Sequence, residues 1–362
     1  MLQSKKIILG VTGGIAAYKC AQLVRLLIKE GAEVKVVMTP AACDFVTPKT
    51  LSVLSKNEVL IDFFDADHNW NNHVKLAGWA DLIIIAPLTA NTLHKMAAGA
   101  CDNLLLAVYL SATSNLFVAP AMDLEMYRHA TVKNNLDKLK DLGHHIIPAE
   151  KGELASGLSG EGRMAEPENI VSFIKTSLAQ SLPLAGKKAL VNAGPTYEAI
   201  DPVRFIGNRS SGKMGVALAA ALSAAGAGVT LVLGPSYELP PAGIEVVRVE
   251  SSDEMYEAMT RFYGAADIVI CSAAVADYKP VNVSNSKIKK KDELMDLPLQ
   301  KTKDILASLG ASKTHQLLVG FALETDNLME YAGSKLRNKN LDMVVANSAS
   351  EQGSGFGTDT NK

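Results

Sequence analysis

The stretch HVKLAGWADLIIIAPLTANTLHKMAAG, residues 73–99, decides the fold of the first half of the chain. Its middle, Leu82 to Ala86, is a short apolar run rich in isoleucine, which is typical of a strand buried on both faces of a parallel sheet. Pro87 is expected to end this strand, and a helical pattern follows Thr89 and Asn91. Because ligands of open α/β sheets bind at the carboxyl ends of the strands, Thr89 and Asn91 are predicted to form a ligand rim.

His73, at the start of this stretch, is a candidate catalytic residue. A lone histidine is more often structural than catalytic, but this one precedes a strand end of the ligand-binding type. The residues alone leave both roles open.

The composition favours two globular domains. The chain has 362 residues, of which 48% are hydrophobic and 20% charged, so it can form large cores and is not expected to be disordered. The net charge of −2 gives no general attraction to nucleic acid or to an anionic membrane. The apolar runs are strand-sized, far from the ~20 residues of a membrane span. The 4 cysteines are scattered without a CxxC, which favours reduced thiols in the cytoplasm and argues against a zinc site.

The N-terminus reads as the phosphate-binding start of a doubly wound sheet. A strand from Ile7 to Val11 is followed by the turn Thr12-Gly13-Gly14 and then by a helix. The next strand extends from Val34 to Met38 and is followed by Thr39. Glycines let the backbone approach a phosphate, and the helix N-terminus supplies N–H donors. A complete GxGxxG is missing, which disfavours NAD and favours a mononucleotide such as FMN. A tight turn without a ligand is the alternative.

Two further segments of the first half are expected near this rim. A strand from Leu116 to Ala119 is followed by Met122 and Asp123, which brings another polar side chain to a strand end. The segment from Gly152 to Arg163 is glycine-rich and is expected to be a mobile loop or flap.

The second half repeats the architecture after a predicted linker, Ser177 to Gly186. We therefore predict two doubly wound, Rossmann-like α/β domains in tandem, at residues 1–178 and 187–362, each with a parallel sheet. The strands expected in the second domain are Ala189 to Ala193, Val229 to Leu233, Val246 to Val249, Ile268 to Ser272, Leu317 to Phe321 and Met343 to Ala346.

Three places in the second half carry polar residues suited to chemistry. Residues 201–215 form a glycine-bearing loop before a helix, and Asn208 there could help bind an anion. Asp277 follows a strand end and precedes a lysine run that includes Lys287; this run is either a solvated surface or a neutraliser of phosphates beside Mg²⁺ on Asp277. Lys335 and Lys339 are four residues apart and share one helix face.

An ordered series of motifs covers nearly the whole chain and resembles one family; the motifs include GVTGGIAAYK, WADLIIIAP, APAM, DPVRFI, SSGKMG, SAAVADY, KIKK and GFA. The resemblance is to the bifunctional phosphopantothenoylcysteine decarboxylase/phosphopantothenate–cysteine ligases of coenzyme A biosynthesis. Its first half is similar to FMN-dependent cysteine decarboxylases and its second half to CTP-dependent ligases.

For the second half, the resemblance implies a CTP-dependent ligase. 4′-Phosphopantothenate is joined to CMP with release of pyrophosphate, and cysteine then displaces CMP to form an amide. Lys287 matches a residue of the first half-reaction and Asn208 one of the second; Mg²⁺ would be held by Asp277, through water or CTP. The CTP-binding positions match Cys271, Ser272, Ala273, Asp277, Lys287, Lys303, Asp304, Ile305, Leu306, Phe321, Lys335 and Lys339.

For the first half, the resemblance implies an FMN-dependent decarboxylase. The cysteinyl thiol of 4′-phosphopantothenoylcysteine is oxidised to a thioaldehyde, CO₂ leaves, and the product is reduced again to 4′-phosphopantetheine. His73 matches the family's active-site histidine. The FMN-binding positions are Thr12, Gly13, Gly14, Thr39, Thr89, Asn91 and Met122.

Two catalytic positions depart from the family pattern. Asp123 stands where the family usually has asparagine, and an anionic side chain there would repel a substrate carboxylate. Ser156 stands where the flap usually carries a cysteine acid, and a hydroxyl is a much poorer proton donor. The alternative function is therefore a flavin-binding redox or storage protein with a functional ligase and an impaired decarboxylase.

The expected partners are small molecules: 4′-phosphopantothenate, cysteine and CTP. Nucleic acid and membranes are not expected, because the net charge is acidic and aromatic residues do not interleave with the lysine run. The resemblance implies trimeric decarboxylase units and dimeric ligase units, hence a large homo-oligomer such as a dodecamer. Family members usually continue beyond the position of Lys362, so the ligase domain is expected to be C-terminally truncated.

Overall fold

The computed structural model describes residues 1–65, 67–289, 295–324 and 327–348. The chain divides into two compact units, residues 1–179 and 180–362. Each unit contains one six-stranded sheet with helices packed against it, and the prediction of two doubly wound α/β folds is confirmed.

The sheet of the N-terminal unit is parallel and has the strand order β3-β2-β1-β4-β5-β6. The chain runs outward from β1 to β3 on one side of the sheet and then crosses back to β4 on the other side of β1. This change of direction places a crevice at the carboxyl ends of β1 and β4. The strands are β1 Lys6–Val11, β2 Glu33–Met38, β3 Val59–Leu60, β4 Leu82–Leu88, β5 Asn115–Pro120 and β6 His145–Ile146.

Strand β4 is buried along its whole length. Ile84 and Ala86 belong to the core on one side of the sheet, and Ile83 and Ile85 to the core on the other. The expectation that Pro87 ends the strand was wrong, because β4 continues to Leu88 and its pairing with β5 shifts register between Ile85 and Leu88. A proline is tolerated at such an irregularity because no ladder hydrogen bond needs its missing N–H.

Helix α4, Ala90–Ala98, begins directly after β4, so its polar cap lies at the sheet edge. Thr89 caps α4, and its hydroxyl oxygen accepts a hydrogen bond from the N–H of Thr92 at 3.4 Å. The α-helices are α1 Cys20–Lys29, α2 Pro48–Ser55, α3 His73–Trp79, α4 Ala90–Ala98, α5 Leu104–Ser111, α6 Leu124–Arg128, α7 Ala130–Asp141 and α8 Pro167–Gln180. Two 3₁₀ helices, Ile15–Lys19 and Pro40–Asp44, follow β1 and β2.

The glycine-rich segment, expected to be a mobile loop or flap, forms an antiparallel hairpin of β7 Glu150–Glu153 and β8 Ser159–Arg163. We call this hairpin, residues 150–163, the flap. Gly162 has φ +140°, and a Cβ there would lie 2.4 Å from the carbonyl oxygen of Met122. Glycine is therefore needed where the flap passes over the end of β5.

The sheet of the C-terminal unit is also parallel, with the order β13-β12-β9-β14-β17-β18. Its strands are β9 Lys188–Ala193, β12 Gly228–Leu233, β13 Glu245–Arg248, β14 Ile268–Cys271, β17 Leu317–Glu324 and β18 Met343–Ser348. Its helices are α9 Lys213–Ala224, α10 Ser252–Tyr263, α11 Ile305–Ala311 and α12 Leu328–Asn338.

The sequence analysis missed two short antiparallel ribbons in this unit. They pair β10 Tyr197–Ala199 with β11 Phe205–Gly207, and β15 Tyr278–Pro280 with β16 Leu299–Lys301. The first part of the predicted linker is helical, since α8 extends to Gln180. In the part of the chain that the structure describes, no helix is both long and apolar enough to cross a membrane.

Gly234→Ala is expected to destabilise the C-terminal unit by about 1–3 kcal/mol, because overpacking against a fixed backbone has no flexible side chain to relax it. A Cβ at Gly234 would lie 1.9 Å from the carbonyl oxygen of Pro195. Hydrogen exchange of peptides from residues 180–362, measured in the full chain, would report the loss.

Gly264→Ala is the matched control, because Gly264 has φ −62° and a Cβ there meets nothing within 4 Å. It should leave the unit unchanged or stabilise it by about 0.4–1 kcal/mol. Equal exchange rates in the two variants would contradict the packing argument.

Candidate functional site

The N-terminal unit has a cavity of about 930 Å³ at the carboxyl ends of its central strands. The sequence-predicted binding residues Gly13, Gly14, Thr39, Thr89, Asn91 and Met122 all line it, together with Asp123. Residues separated by more than a hundred positions along the chain therefore meet in one crevice, as expected for the ends of parallel strands.

The glycine turn forms one wall of this cavity. A Cβ at Gly13 would lie 2.6 Å from the Cβ of Ala41, whereas Gly14 has only Thr89 Cγ2 within reach, at 3.4 Å. Thr12 does not line the cavity: it is fully buried, and its hydroxyl donates to the Pro87 carbonyl at 2.6 Å and accepts from the Thr89 N–H at 3.2 Å. Thr12 thus ties the turn to the end of β4.

Thr39 lines the same cavity and is 7% exposed. Its buried hydroxyl oxygen has no hydrogen-bond partner among the described residues. Such a group is costly to bury unless it binds something, so Thr39 fits a polar ligand atom in the cavity.

Met122 and Asp123 form the opposite rim, under the flap. The N–H of Met122 donates to the Gly162 carbonyl at 2.9 Å, which fixes the flap to this loop. Asp123 caps α6, with Oδ1 accepting from the Leu124 N–H at 2.6 Å. No described group bonds to its second carboxylate oxygen.

Two predicted catalytic residues are outside the cavity lining formed by the described part of this chain. Ser156 is exposed at the tip of the flap, where its hydroxyl oxygen accepts from the Leu158 N–H at 3.4 Å. His73 begins α3, and its ring contacts Phe63 and Trp70 edge-on, with centroids 6.2 and 6.0 Å away. Its Nδ1 is buried without a partner among the described residues.

The C-terminal unit has a second cavity, of about 550 Å³, at the carboxyl ends of β9, β14 and β17. It contains most of the nucleotide-binding positions inferred from the motifs. Those lining it are Cys271, Ala273, Asp277, Lys303, Asp304, Ile305, Leu306, Phe321, Lys335 and Lys339.

Three other predicted residues of this unit, Ser272, Asn208 and Lys287, do not line this cavity. Ser272 turns away from it, and its hydroxyl donates to the Asn192 carbonyl at 2.6 Å. Asn208 reaches its wall, where Nδ2 donates to the carbonyls of Ala274 and Val275 at 3.0 and 3.1 Å. Lys287 is exposed and does not line it.

The DPVR motif anchors the segment that carries Lys287. Asp201 is 3% exposed, pairs with Arg204 and accepts a hydrogen bond from the Ile288 N–H at 3.1 Å. Arg204 in turn donates to the Ile288 carbonyl at 2.8 Å. The Arg204 hydrogen bonds hold the pKa of Asp201 far below its usual range, so this anchor stays ionised.

Comparison with known proteins identifies the family. The family model "Flavoprotein" matches residues 1–179, and "DNA/pantothenate metabolism flavoprotein C-terminal domain" matches residues 184–362. The Coenzyme A biosynthesis bifunctional protein CoaBC of Bacillus subtilis is 47% identical over 365 residues, which covers 100% of this chain and 90% of that protein. The chain belongs to the CoaBC family. The resemblance inferred from the motifs is confirmed.

Two further proteins are similar to this chain. A Cysteine/Cysteine sulfinic acid decarboxylase from an unknown prokaryotic organism is 54% identical over 324 residues, covering 88% of this chain and 90% of that protein. The crystal structure of a CoaBC C-terminal domain is 49% identical, with a TM-score of 0.42, and covers 46% of this chain and 80% of that one.

The lysines of the C-terminal cavity are held by nearby oxygen atoms. Lys339 pairs with Asp304 at 2.8 Å, and Lys335 donates to the Phe321 carbonyl at 2.5 Å. Burial by itself would raise the pKa of Asp304, but the hydrogen bonds from Lys339 and the Ala307 N–H outweigh it and lower that pKa. An ion pair therefore positions Lys339 in this cavity, and a hydrogen bond to a backbone carbonyl positions Lys335.

Cys271 has no nucleophilic role that the structure supports. Burial raises the pKa of its thiol to about 12, so the neutral form persists at physiological pH. In the described residues, no group of three or more histidine, cysteine or acidic side chains could hold a metal ion. Asp277 by itself is one exposed carboxylate on the cavity wall.

Sequence reasoning missed several lining residues. Lys19 is 5% exposed, lines the N-terminal cavity, and donates to the Met164 carbonyl at 2.9 Å and to Glu166 at 3.0 Å. Lys95 and Asp102 form a 2.5 Å pair on the same wall. Asn192 lines the C-terminal cavity from the end of β9. The sequence could have indicated Asn192, because it is an asparagine in an otherwise apolar buried strand.

Proposed function

We propose that the two cavities divide the two reactions of this CoaBC-family enzyme. The chain acts in coenzyme A biosynthesis with decarboxylase and ligase activities. The N-terminal cavity would bind FMN and decarboxylate 4′-phosphopantothenoylcysteine. The C-terminal cavity would bind CTP and join 4′-phosphopantothenate to cysteine. The convergence of each motif series on its own strand-end cavity carries this proposal.

The N-terminal cavity fits FMN by its size, its glycine turn and its unpartnered hydroxyl. Gly13 and Gly14 leave backbone N–H groups accessible at a turn, and the unpartnered Thr39 hydroxyl lies on the same wall. Bound FMN would accept two electrons from the substrate thiol and return them after CO₂ is lost. The protein would hold the substrate between the glycine turn and the flap, and keep water from it.

Ser156 would act in this site from the flap of the same chain, and His73 would act in the site of a neighbouring chain. Ser156 lies at the flap tip, where it would position the substrate or pass a proton to the product after CO₂ leaves. His73 lies beside the exposed apolar residues Phe64, Trp70 and Val74. Such a patch suits a subunit interface, so we propose a trimer in which His73 serves a neighbouring protomer's cavity.

Gly14→Asp is expected to yield folded but colourless protein, because a carboxylate at the glycine turn would repel the FMN phosphate. Bound flavin would be measured by its visible absorption after gel filtration. Gly264→Asp adds the same charge where a Cβ meets nothing within 4 Å, and should remain yellow. Stoichiometric flavin in folded Gly14→Asp protein would refute the binding site.

Asp123 favours a second candidate substrate, free cysteine. Asp123 lines the cavity, and no described group bonds to its second carboxylate oxygen. An ammonium group would be complementary there, and only unacylated cysteine has one. The nitrogen of 4′-phosphopantothenoylcysteine is a neutral amide. The similar protein named a Cysteine/Cysteine sulfinic acid decarboxylase supports this candidate. The same two-electron oxidation of the thiol would precede loss of CO₂.

Asp123→Asn is expected to lower kcat/KM for free cysteine by about tenfold or more, since a charged hydrogen bond is lost. It should raise kcat/KM for 4′-phosphopantothenoylcysteine, because a repulsive charge is removed. CO₂ release from each substrate would be compared. Glu125→Gln removes a neighbouring exposed carboxylate and serves as the control. If the wild type releases no CO₂ from cysteine, the second candidate fails.

In the C-terminal unit, the lysines would receive the CTP phosphates. Lys303, Lys335 and Lys339 line one cavity, and Lys287 lies on a neighbouring anchored segment. Lys287 would stabilise the charge that develops as the carboxylate attacks the α-phosphorus and pyrophosphate leaves. Mg²⁺ would enter with CTP and use Asp277 as one ligand, with phosphate oxygens and water completing its coordination. Asn208 would hold the acyl-cytidylate for attack by cysteine.

Lys287→Gln is expected to reduce acyl-cytidylate formation by about 100-fold, the effect of losing one preorganised donor at a transition state. Asn208→Ala should allow the intermediate to form and slow its conversion to amide. Alanine is preferable to aspartate because Asn208 faces two carbonyls. Mass spectrometry without and with cysteine separates the two steps.

Lys289→Gln, at a nearby exposed lysine, is the control. The same block in both test variants would refute the division of roles.

The proposed assembly and location follow the same reasoning. Dimeric ligase units together with trimeric decarboxylase units would give a large homo-oligomer such as a dodecamer. All four cysteines are free thiols, which suits a reducing compartment such as the cytoplasm.

A further inference from the structure

Asn192 occupies the centre of the C-terminal crevice. It lies at the end of β9 and pairs across the sheet with Cys271 at the end of β14. The strand order turns outward in both directions from this pair, so Asn192 lies at the topological switch point of the sheet. It lines the cavity although only 2% of the residue is exposed.

The orientation of the Asn192 amide is fixed by the backbone. Its Oδ1 accepts a hydrogen bond from the Ala273 N–H at 2.9 Å, so the other end of the amide must be Nδ2 with its two hydrogens. Nδ2 has no hydrogen-bond partner among the residues that the structure describes, and it retains solvent access on the cavity side. A donor held this way in a nearly buried side chain is complementary to a ligand acceptor.

The surroundings of Nδ2 indicate a neutral acceptor. Cys271, its cross-strand neighbour, keeps an uncharged thiol, and Leu306 and Phe321 supply apolar contacts to the same cavity. The lysines, by contrast, are already oriented by oxygen atoms at Asp304 and at the Phe321 carbonyl. One directed donor beside an uncharged thiol and two apolar side chains fits the edge of a base better than a phosphate.

We propose that Nδ2 of Asn192 donates to an acceptor atom of the pyrimidine ring, so that Asn192 is a base-recognition residue of the nucleotide site. This inference rests on the proposed use of CTP. It assigns recognition of the base to the sheet floor and recognition of the phosphates to the lysines.

Asn192→Asp tests this directly, because the carboxylate can still accept from the Ala273 N–H while the cavity-facing donor is lost. Titration calorimetry on the full chain would measure binding of CTP, CMP and inorganic tripolyphosphate. We expect CMP and CTP to bind at least about tenfold more weakly by similar factors, with tripolyphosphate affected less than twofold. KM for 4′-phosphopantothenate should remain unchanged.

Two further variants keep the test decisive. Asn338→Asp adds the same charge on the exposed face of α12 and should bind all three ligands as the wild type does. Asn192→Ser removes the amide donor without adding charge and should also weaken CMP binding, which covers the case in which the aspartate variant does not fold.

Unchanged CMP binding in a folded Asn192 variant would overturn the inference and leave the CTP assignment standing. So would a loss of tripolyphosphate binding as large as the loss of CMP binding. If the wild type binds neither CTP nor CMP, the proposed nucleotide site itself fails, and this inference fails with it.

Discussion

The burial of β4 on both faces is the constraint on which the N-terminal unit depends. Its alternate side chains enter two separate cores, so the strand cannot shift by one residue without exchanging every contact on both sides. The fixed register sets where the strand ends. The position of Thr89, which caps α4, is therefore fixed relative to the sheet. The buried hydroxyl of Thr12 connects this cap to the glycine turn. The ligand-facing edge is a consequence of core packing.

In both units, glycines also allow loops to pack closely against the ends of strands. Gly162 lets the flap lie against Met122, and Gly234 lets the end of β12 lie against Pro195. A side chain at either position would collide with a carbonyl oxygen, which cannot rotate away as a side chain can. The glycines consequently fix the distance between neighbouring strand ends and the loops that cross them.

Charge is distributed differently in the two cavities. In the N-terminal cavity, Lys19 is nearly buried and is satisfied by Met164 and Glu166, and Asp123 brings an anion to the rim. The C-terminal cavity combines a neutral floor at Asn192 and Cys271 with cations on its walls. The second arrangement suits a nucleotide with an uncharged base and a highly charged tail.

The sequence by itself determined the fold class, the family and most of the predicted site residues that line the two cavities, because these depend on local patterns. Buried strands are uniform apolar runs, and strand ends meet at one edge of a parallel sheet, so Thr39, Thr89 and Met122 could be grouped without coordinates. Tertiary structure decided what depends on contacts between distant segments. Only the backbone could show that Thr12 faces inward, that Pro87 lies within a strand, and that Ser156 and His73 stand outside the cavity of their own chain. The same holds for Asn192, whose donor direction is set by the N–H of Ala273, 81 residues away along the chain.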